Sequence, residues 1–304
     1  MDAHSDKQDR ARFDEIFSRV AQSDTLTRLW RDVYREDYPE GASPFSFVTT
    51  RELHSLTDEL GVTEGRCFAD IACGQGGPSL FVARESGAAV LGIDSSRIAV
   101  QFATSVARKR GFAGRATFIV ADAAAISLRE ASMDGAMSID ALQLMSDRGT
   151  VLAEVGRIVK RGGRFAFTTW LSRQTGIGPP FPVDYQPLLE AAGFSLQWSH
   201  EPPNWEQREL AVFARIRESA ERLSVELGST VATMLVTEAA KMPEALVSRY
   251  SLTAMPRSSA RPALSASAVD GLTPAPTTTK SASIVPPPLK AMVRPSTDAS
   301  VWPR

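Results

Sequence analysis

The chain has 304 residues, of which 43% are hydrophobic, so it can form one large domain with additions or at most two domains. Its net charge is −1, which disfavours partners such as RNA that require a basic surface. We find no run of about 18 apolar residues, and the charged N-terminus lacks the apolar core of a secretory signal. We therefore expect a cytoplasmic protein without a membrane partner.

The first 65 residues are predicted to be helical. Apolar side chains recur at helical spacing in residues 12–22 and 25–36. A third helix begins at Thr49, where Glu52 completes a capping box, and stops at Gly61. The aromatic residues of this segment could fold over a crevice as a lid that excludes water. They could equally well seal the edge of a sheet.

Strands and helices alternate from residue 66 onward. Residues 66–73 form a nearly continuous apolar run, typical of a strand covered on both faces, and a glycine-rich turn follows at 74–77. Further strands are predicted at 88–94, 116–122, 133–140 and 164–170, with helices at 78–87, 95–111 and 146–163. The last of these helices would be closed by Gly162 and Gly163. This alternation predicts a parallel, doubly wound α/β sheet whose ligand binds at the carboxyl ends of the strands.

The pattern continues beyond residue 170 with a short helix at 184–193 and a sixth strand at 195–201. A seventh strand is predicted at 246–256. Residues 205–244, between these two strands, are amphipathic and helical. An insertion of this size above the strand ends would supply the walls of a substrate pocket.

The last segment, residues 256–304, is rich in proline, serine, threonine and alanine. It cannot bury enough apolar surface to offset its chain entropy, so we predict a disordered tail. The tail carries six lysines and arginines against two acids, so the rest of the chain is acidic. We expect the tail to be solvated and to play no part in the chemistry.

Two cysteines, Cys67 and Cys73, are too few for a disulfide framework. The chain has three histidines, and neither cysteine has enough partners nearby for a structural zinc site. We predict reduced thiols and no bound metal.

An acidic residue stands at the carboxyl end of each of the first four strands: Asp70, Asp94, Asp122 and Asp140. Such a ring of carboxylates is a poor pyrophosphate site because like charges repel at short range. Ser79 occupies the position where a dinucleotide fingerprint has its third glycine, and no phosphate-loop lysine follows the turn. A cationic ligand with a ribose and an adenine, but no phosphate, fits these residues better.

Five segments, in this order and at these intervals, resemble the class I S-adenosylmethionine-dependent methyltransferases: DIACGQGG, GIDSS, ADAA, DGAMSIDALQLMSD and IVKRGGRFAFTTW. The resemblance is closest to the small-molecule branch that includes quinone, amino-acid and natural-product enzymes. It is strong over residues 68–170 and weak from there to 256. It implies a Rossmann-like α/β fold, with a mostly parallel seven-stranded sheet whose last strand runs antiparallel at the edge.

The resemblance also divides the chain and assigns it a function. It implies an N-terminal helical lid (1–65), a cofactor-binding core (66–202), a helical substrate-cap insertion (203–245), a final edge strand (246–255) and the tail (256–304). The cofactor would be S-adenosylmethionine. The reaction would move its methyl group to an O, N or C nucleophile of a small, largely apolar acceptor, in bacterial secondary metabolism.

The resemblance assigns cofactor roles to matching residues. Gly74 and Gly76 would let the backbone approach the methionine part and the ribose, and Asp70 would steady the turn and the ammonium group. Asp94 would accept hydrogen bonds from the ribose hydroxyls, and Asp122 from the adenine amino group. Ala72 stands where the family often has glycine. The predicted cofactor residues are Asp70, Ala72, Gly74, Gly76, Asp94, Ser95, Asp122, Ala123 and Asp140.

A general base is needed only if the acceptor must lose a proton. His200 is the histidine that we favour for this role because it ends the predicted sixth strand, with Asp140 and Tyr34 as comparable candidates. A surface or structural role is the ordinary alternative for His200.

Three rival functions and the oligomeric state stay open at this point. One rival is a protein of the same fold that binds S-adenosylmethionine without methylating, in a cyclase, rearrangement or binding role. A nucleic-acid methyltransferase is disfavoured because the fourth strand ends in SIDALQ, without the Asn/Asp-Pro-Pro-aromatic signature. A nicotinamide dehydrogenase is disfavoured by Ser79 and by the four acids. A homodimer is compatible with the sequence.

Overall fold

A computed structural model describes residues 3–41, 46–172 and 184–257. Helices and strands follow one another in this order: α1 (Ala3–Val20), α2 (Asp24–Tyr34), α3 (Thr50–Leu60), β1 (Cys67–Ile71), α4 (Gly77–Ser86), β2 (Ala89–Asp94), α5 (Arg97–Lys109), β3 (Ala116–Val120), β4 (Met133–Ser138), α6 (Arg148–Ile158), β5 (Val159–Ser172), α7 (Gln186–Ala191), β6 (Phe194–His200), α8 (Trp205–Glu218), α9 (Ala220–Leu227), α10 (Ser229–Ala245) and β7 (Leu246–Pro256). The predicted disordered tail lies outside the described residues, apart from its first two.

The strands form one seven-stranded sheet in the order β3-β2-β1-β4-β5-β7-β6. β1 to β5 are parallel to one another, and β7 is antiparallel to both β5 and β6. This arrangement confirms the predicted fold, a doubly wound, mostly parallel, Rossmann-like methyltransferase sheet. The switch in strand order falls between β1 and β4, so a crevice opens at their carboxyl ends.

The predicted position of the seventh strand at the sheet edge is wrong. β7 lies inside the sheet, where Ala254 pairs with Phe165 of β5 on one side and with Leu196 of β6 on the other. Residues 251–254 are all buried, as both faces of an interior strand require. The edge strand is β6, whose mostly polar and exposed side chains suit an edge in contact with water.

The boundary between α6 and β5 also differs from the prediction. α6 ends at Ile158, and Val159 already pairs with Met133 as part of β5. Gly162 and Gly163 therefore belong to an irregular start of the strand and do not close the helix. A Cβ atom on Gly163 would lie 2.5 Å from the carbonyl oxygen of Asp134. This close approach of two backbones explains the glycine.

Three clusters of buried residues make up the core within the described ranges. One lies between the sheet and α6 and α7, and the second lies between the sheet and α3, α4 and α5. The capping box predicted for α3 is confirmed, with Thr49 and Glu52 each bonding the other's backbone N–H. The third cluster joins α1 and α2 to the insertion helices α8 to α10. The N-terminal helices and the insertion therefore pack as one helical layer, whereas α3 packs on the sheet.

No helix within the described ranges is both long enough and apolar enough to span a membrane.

Candidate functional site

The glycine-rich turn after β1 has a left-handed backbone at three positions. Ala72, Gly74 and Gly76 have φ angles of 55°, 52° and 75°. A Cβ atom on Gly76 would lie 2.9 Å from the ring of Phe118, so packing beneath the turn requires this glycine. Gly76 does not line the cavity described below, unlike Gly74. Its predicted role of letting the cofactor approach stays a prediction.

A cavity of about 250 Å³ opens beside this turn, at the carboxyl ends of β1, β2 and β4 and just after β3. We call it the outer cavity. It brings together the predicted cofactor residues other than Gly76, namely Asp70, Ala72, Gly74, Asp94, Ser95, Asp122, Ala123 and Asp140.

The buried Asp94 holds the β1 and β2 turns together. Its Oδ2 accepts a hydrogen bond from the Gly74 N–H at 2.8 Å, and its Oδ1 accepts one from the Ser96 N–H at 2.8 Å. Burial raises the pKa of Asp94, and these backbone hydrogen bonds oppose the rise. After β3, Asp122 accepts from the Ala124 N–H at 2.9 Å through Oδ1. Both carboxylates are thus fixed in orientation by backbone donors.

Asp70 carries an oxygen without a partner. Its Oδ2 accepts a short hydrogen bond from the Ser79 hydroxyl, but Oδ1 is buried and has no hydrogen-bond partner in the described part of the chain. Burial raises the pKa of Asp70 to about 7, and the Ser79 hydrogen bond opposes this. A buried oxygen of this kind is costly unless a ligand pairs with it. A cation in the outer cavity would satisfy it.

The N-terminal helix α1 covers part of the outer cavity. Phe13 and Phe17 line it, with their rings stacked at a centroid distance of 6.1 Å. The Gln75 side chain donates to the Phe17 carbonyl at 3.2 Å, and Asp14 accepts from the Ser96 hydroxyl at 2.5 Å. α1 is therefore attached to both turns that shape the cavity.

A second cavity of about 80 Å³ adjoins the first and shares Asp140 and Leu144 with it. We call it the inner cavity. Its described walls come from α2, α8, α10 and the segments around Phe47, Gln143 and Trp170. The lining is mostly aromatic and aliphatic: Leu26, Trp30, Phe47, Leu144, Trp170, Phe213, Ile216, Leu235 and Met242, with Asp140, Gln143, Glu209 and Glu238 as its polar members.

A fully buried arginine on β7 lies behind the inner cavity. Arg249 Nη1 is 2.8 Å from Asp140 Oδ1, and Arg249 Nε is 3.2 Å from Glu52 Oε1. Its Nε also lies 3.7 Å from Glu209 Oε1, and the guanidinium lies 4.8 Å from the centre of the Trp170 ring. Three buried carboxylates thus share one guanidinium.

Asp140 has little capacity to act as a base. In addition to the Arg249 contact, its carboxylate accepts from the Ser46 hydroxyl at 3.0 Å, the Phe47 N–H at 2.8 Å and the Thr168 hydroxyl at 2.5 Å. Four donors therefore occupy its two oxygens. Asp140 forms part of the wall between the two cavities, and its predicted catalytic role finds no support in this geometry.

His200 does not reach either cavity. It is exposed at the end of the edge strand β6, where it stacks on Trp198 at 5.7 Å. Three strand spacings separate β6 from β4, or roughly 14 Å. The predicted role of His200 as the base is wrong, because the sixth strand in the chain is the outermost strand of this side of the sheet.

Tyr34 is also placed away from the cavities. Its buried hydroxyl donates to the Phe47 carbonyl at 2.9 Å, and the Arg208 guanidinium lies 5.9 Å from the ring centre. Burial raises its pKa well above the usual value, which opposes loss of its proton. Tyr34 is a packing residue, so its predicted catalytic role is not supported either.

Three residues of this network, Arg249, Glu209 and Trp170, were not predicted from the sequence. An arginine in the middle of an otherwise apolar strand was the available signal, because such a residue must find a buried partner. Glu52 was assigned only to the capping box, although its second oxygen binds Arg249. In the part of the chain that the structure covers, no group of three or more His, Cys, Asp or Glu residues could hold a metal ion.

Comparison with known proteins agrees with this geometry. Residues 69–167 match a family model described as a methyltransferase domain. The chain contains a class I methyltransferase domain. The cofactor of this domain is S-adenosylmethionine, and the unpaired oxygen of Asp70, next to the carboxylates of Asp94 and Asp122, fits a cationic nucleoside.

The domain is similar to methyltransferases with different substrates. A sterol 24-C-methyltransferase from Gibberella zeae is 27% identical over 170 residues, which cover 52% of this chain and 45% of the relative. A 27-O-demethylrifamycin SV methyltransferase from Amycolatopsis mediterranei is 30% identical over 152 residues, covering 50% of this chain and 56% of the relative. The chain spans about half the length of the curated relatives it matches.

A solved structure shares the fold over more of the chain. The crystal structure of the [4+2]-cyclase SpnF superimposes with a TM-score of 0.58 and 23% identity, covering 78% of this chain and 94% of the cyclase.

Proposed function

We propose that this protein transfers a methyl group from S-adenosylmethionine to an O, N or C nucleophile of a small, largely apolar molecule. The observation that carries the proposal is the pair of adjoining cavities. The outer one is lined by carboxylates at strand ends, and the inner one by aromatic and aliphatic side chains. Because they share Asp140 and Leu144, a donor in the first and an acceptor in the second would meet at this wall.

The residues of the outer cavity would each take a part of the cofactor. Asp70 would accept from its ammonium group through Oδ1, and Asp94 from the ribose hydroxyls, beside Ser95. Asp122 would accept from the adenine amino group, with the backbone of Ala123 beside the ring. Ala72 and Gly74 would bring the backbone close to the methionine part.

The chain's main contribution to rate would be to hold the two reactants in line. Such positioning is worth up to ~7 to 11 kcal/mol in favourable cases. The cofactor supplies an electrophilic methyl group on a sulfonium. Phe13 and Phe17 lie on the outer cavity and would exclude water from it.

We further propose that the acceptor belongs to bacterial secondary metabolism. The rifamycin-type relative supports this, whereas the fungal sterol methyltransferase favours a broader class of apolar acceptors. A cytoplasmic location, a homodimer and the absence of nucleic-acid and membrane partners remain predictions.

A second function is binding of S-adenosylmethionine without methyl transfer, in a cyclase, rearrangement or binding role. The similarity to the crystal structure of the [4+2]-cyclase SpnF favours it. Both functions require the same outer cavity, so cofactor binding alone does not separate them.

Calorimetry followed by isotope-labelled turnover would separate the two functions. The purified chain should bind S-adenosylmethionine and not a nicotinamide dinucleotide. With methyl-labelled cofactor and an extract of bacterial small molecules, a product heavier by one labelled methyl should form together with an equal amount of S-adenosylhomocysteine. A converted product without label and without S-adenosylhomocysteine would favour the second function, and failure to bind the cofactor would contradict both.

A further inference from the structure

The inner cavity combines aromatic faces with carboxyl groups. Four of its lining residues are aromatic, and the Phe47 ring lies 5.4 to 5.5 Å from the rings of Trp30, Trp170 and Phe213. Aromatic faces carry negative potential and attract cations. Asp140, Glu209 and Glu238 add carboxyl groups to the same wall, and none of its described lining residues is a lysine or arginine.

The charges around the cavity do not balance. Among the described residues, Arg249 is the cation within 4 Å of Glu52, Asp140 and Glu209, so these three carboxylates face a single positive charge there. Asp140 is satisfied by its four donors, and Glu52 also accepts from the Thr49 backbone and hydroxyl. Glu209 has the weakest link to Arg249, at 3.7 Å, and its carboxylate otherwise accepts from Trp170 Nε1, which lies 2.9 and 2.8 Å from its two oxygens. Glu209 is therefore the carboxyl group most weakly paired with Arg249, whose Nη2 is itself buried without a hydrogen-bond partner among the described residues.

A polar group in the same cavity has no partner. Gln143 is fully buried and lines the inner cavity, yet its Nε2 makes no hydrogen bond with any described residue. A buried amide without a partner costs roughly 1 to 3 kcal/mol. A ligand oxygen that accepts from Nε2 would remove this cost.

We propose that the inner cavity binds the methyl acceptor through a positively charged nitrogen, held by Glu209 and Glu238 among the aromatic rings, and through an oxygen that accepts from Gln143. This proposal rests on the proposed function and narrows the acceptor class to apolar amines that carry a hydroxyl or carbonyl group. Glu209 is then a specificity-determining residue.

The ionisation of Glu209 gives the proposal a characteristic pH dependence. Burial raises the pKa of Glu209 to about 8, with Asp140 and Glu52 adding to the rise and Arg249 and the Trp170 N–H opposing it. Glu238 shares the cavity, and burial raises its pKa as well, against the effect of Arg12. A cation pairs with the ionised carboxylate, so its binding should strengthen as pH rises toward 8 and level off above.

The experiment uses the full chain and three small probes. Choline carries a quaternary ammonium and a hydroxyl, tetramethylammonium carries the charge alone, and dimethylbutanol is the neutral isostere of choline with carbon in place of nitrogen. Saturating S-adenosylhomocysteine keeps the probes out of the outer cavity, and its own binding tests the cofactor half of the proposed function separately. Calorimetry and the fluorescence of Trp30 and Trp170, which line the cavity, report binding.

We expect choline to bind about ten times more tightly than dimethylbutanol at pH 8.5, and choline affinity to fall by up to ~10-fold per pH unit below 8. Choline does not titrate in this range, so the change belongs to the protein. Glu209→Gln should abolish the preference for choline over dimethylbutanol and should make choline affinity independent of pH in this range. Glu206→Gln, the same change at an exposed position one turn earlier on α8, should leave both intact.

Equal binding of choline and dimethylbutanol, or an unchanged preference in Glu209→Gln, would overturn the proposal while leaving methyl transfer untouched. Gln143→Leu should make choline and tetramethylammonium bind equally. If Glu209→Gln does not fold, Glu238→Gln and the pH profile of the unmodified chain provide the same test, since a flat profile would contradict the role of Glu209.

Discussion

The outer and inner cavities both hold buried carboxyl groups, but different partners stabilise them. In the outer cavity, Asp94 and Asp122 accept hydrogen bonds from backbone N–H groups of the turns that surround them. In the inner cavity, Asp140 and Glu209 depend on the side chain of Arg249, which is 109 residues from Asp140 in the chain. Local turns thus build the outer cavity, whereas distant side chains build the inner cavity beside it.

The largest effect should follow removal of the shared guanidinium. Arg249→Met leaves Asp140, Glu52 and Glu209 buried without their counter-ion, which should lower the free energy of unfolding by about 3 to 5 kcal/mol. Urea denaturation measures this loss. Arg257→Met is the control, because Arg257 pairs with Glu190 on the surface and should contribute at most ~1 kcal/mol. Equal stability of the two variants would mean that the contacts of Arg249 with Glu52, Asp140 and Glu209 contribute nothing to the free energy of unfolding.

The next effect concerns the outer cavity. Asp94→Asn keeps the shape of the side chain but removes the charge that would strengthen two hydrogen bonds to the ribose. A hydrogen bond to a charged group contributes about 1 to 1.5 kcal/mol more than one to a neutral group, so the loss of charge at two bonds should lower S-adenosylmethionine affinity by about 100-fold. Calorimetry should show no such loss for Asp134→Asn, whose carboxylate binds Arg66 and Lys160 near the opposite end of β4. Unchanged S-adenosylmethionine affinity in Asp94→Asn would show that Asp94 does not bind the cofactor.

A smaller effect should appear as a pH dependence of cofactor binding. Burial raises the pKa of Asp70 to about 7, so the free protein holds a proton there below that pH. An ammonium group pairs with the ionised form, and S-adenosylmethionine affinity should therefore rise by up to ~10-fold between pH 6 and 8. Methylthioadenosine lacks the ammonium group, so its affinity should not show this rise between pH 6 and 8. Parallel pH profiles for the two ligands would contradict an Asp70–ammonium contact.

A still smaller effect is expected at Ala72. Its φ of 55° costs a non-glycine residue about 1 kcal/mol, and glycine would remove this strain while losing about 0.5 to 1 kcal/mol in chain entropy. Ala72→Gly should thus leave the free energy of unfolding unchanged or raise it by a few tenths of a kcal/mol. Ala211→Gly, in the middle of α8, should instead lower it by about 1 kcal/mol. The same loss at both positions would show that the left-handed backbone carries no strain.

The smallest effect should come from His200. His200→Ala changes an exposed side chain on the edge strand, so turnover of an identified acceptor should stay at its full rate. The free energy of unfolding should change by no more than ~0.5 kcal/mol. A large loss of turnover without a loss of stability would place chemistry outside the two cavities.

The sequence was sufficient to predict the outer cavity because its signals are local. Asp70, Asp94 and Asp122 each follow an apolar strand, and parallel strands bring such ends to one edge. The same reasoning did not predict the packing around Gly76, since the Phe118 ring that requires this glycine comes from β3. It also failed for His200, because the order of strands in a sheet is not their order in the chain.

The inner cavity could not be predicted in the same way. Its charged residues, Glu52, Asp140, Glu209 and Arg249, lie on four separate elements, and no fixed spacing connects them. Tyr34 and Asp140 looked suitable as bases because both are polar and near predicted strand ends or lid helices. Burial and full hydrogen bonding remove that capacity, and neither is visible in the order of amino acids.

The late position of Arg249 has a consequence for synthesis of the protein. β1 to β4 are complete once residue 140 has been made, but β7 must still insert between β5 and β6 and bring Arg249 with it. Until then Glu52, Asp140 and Glu209 have no guanidinium. In a nascent chain whose residue 249 is still inside the ribosome, these three carboxyl groups therefore lack their counter-ion. We expect the packing around them to be completed only after the ribosome has released β7.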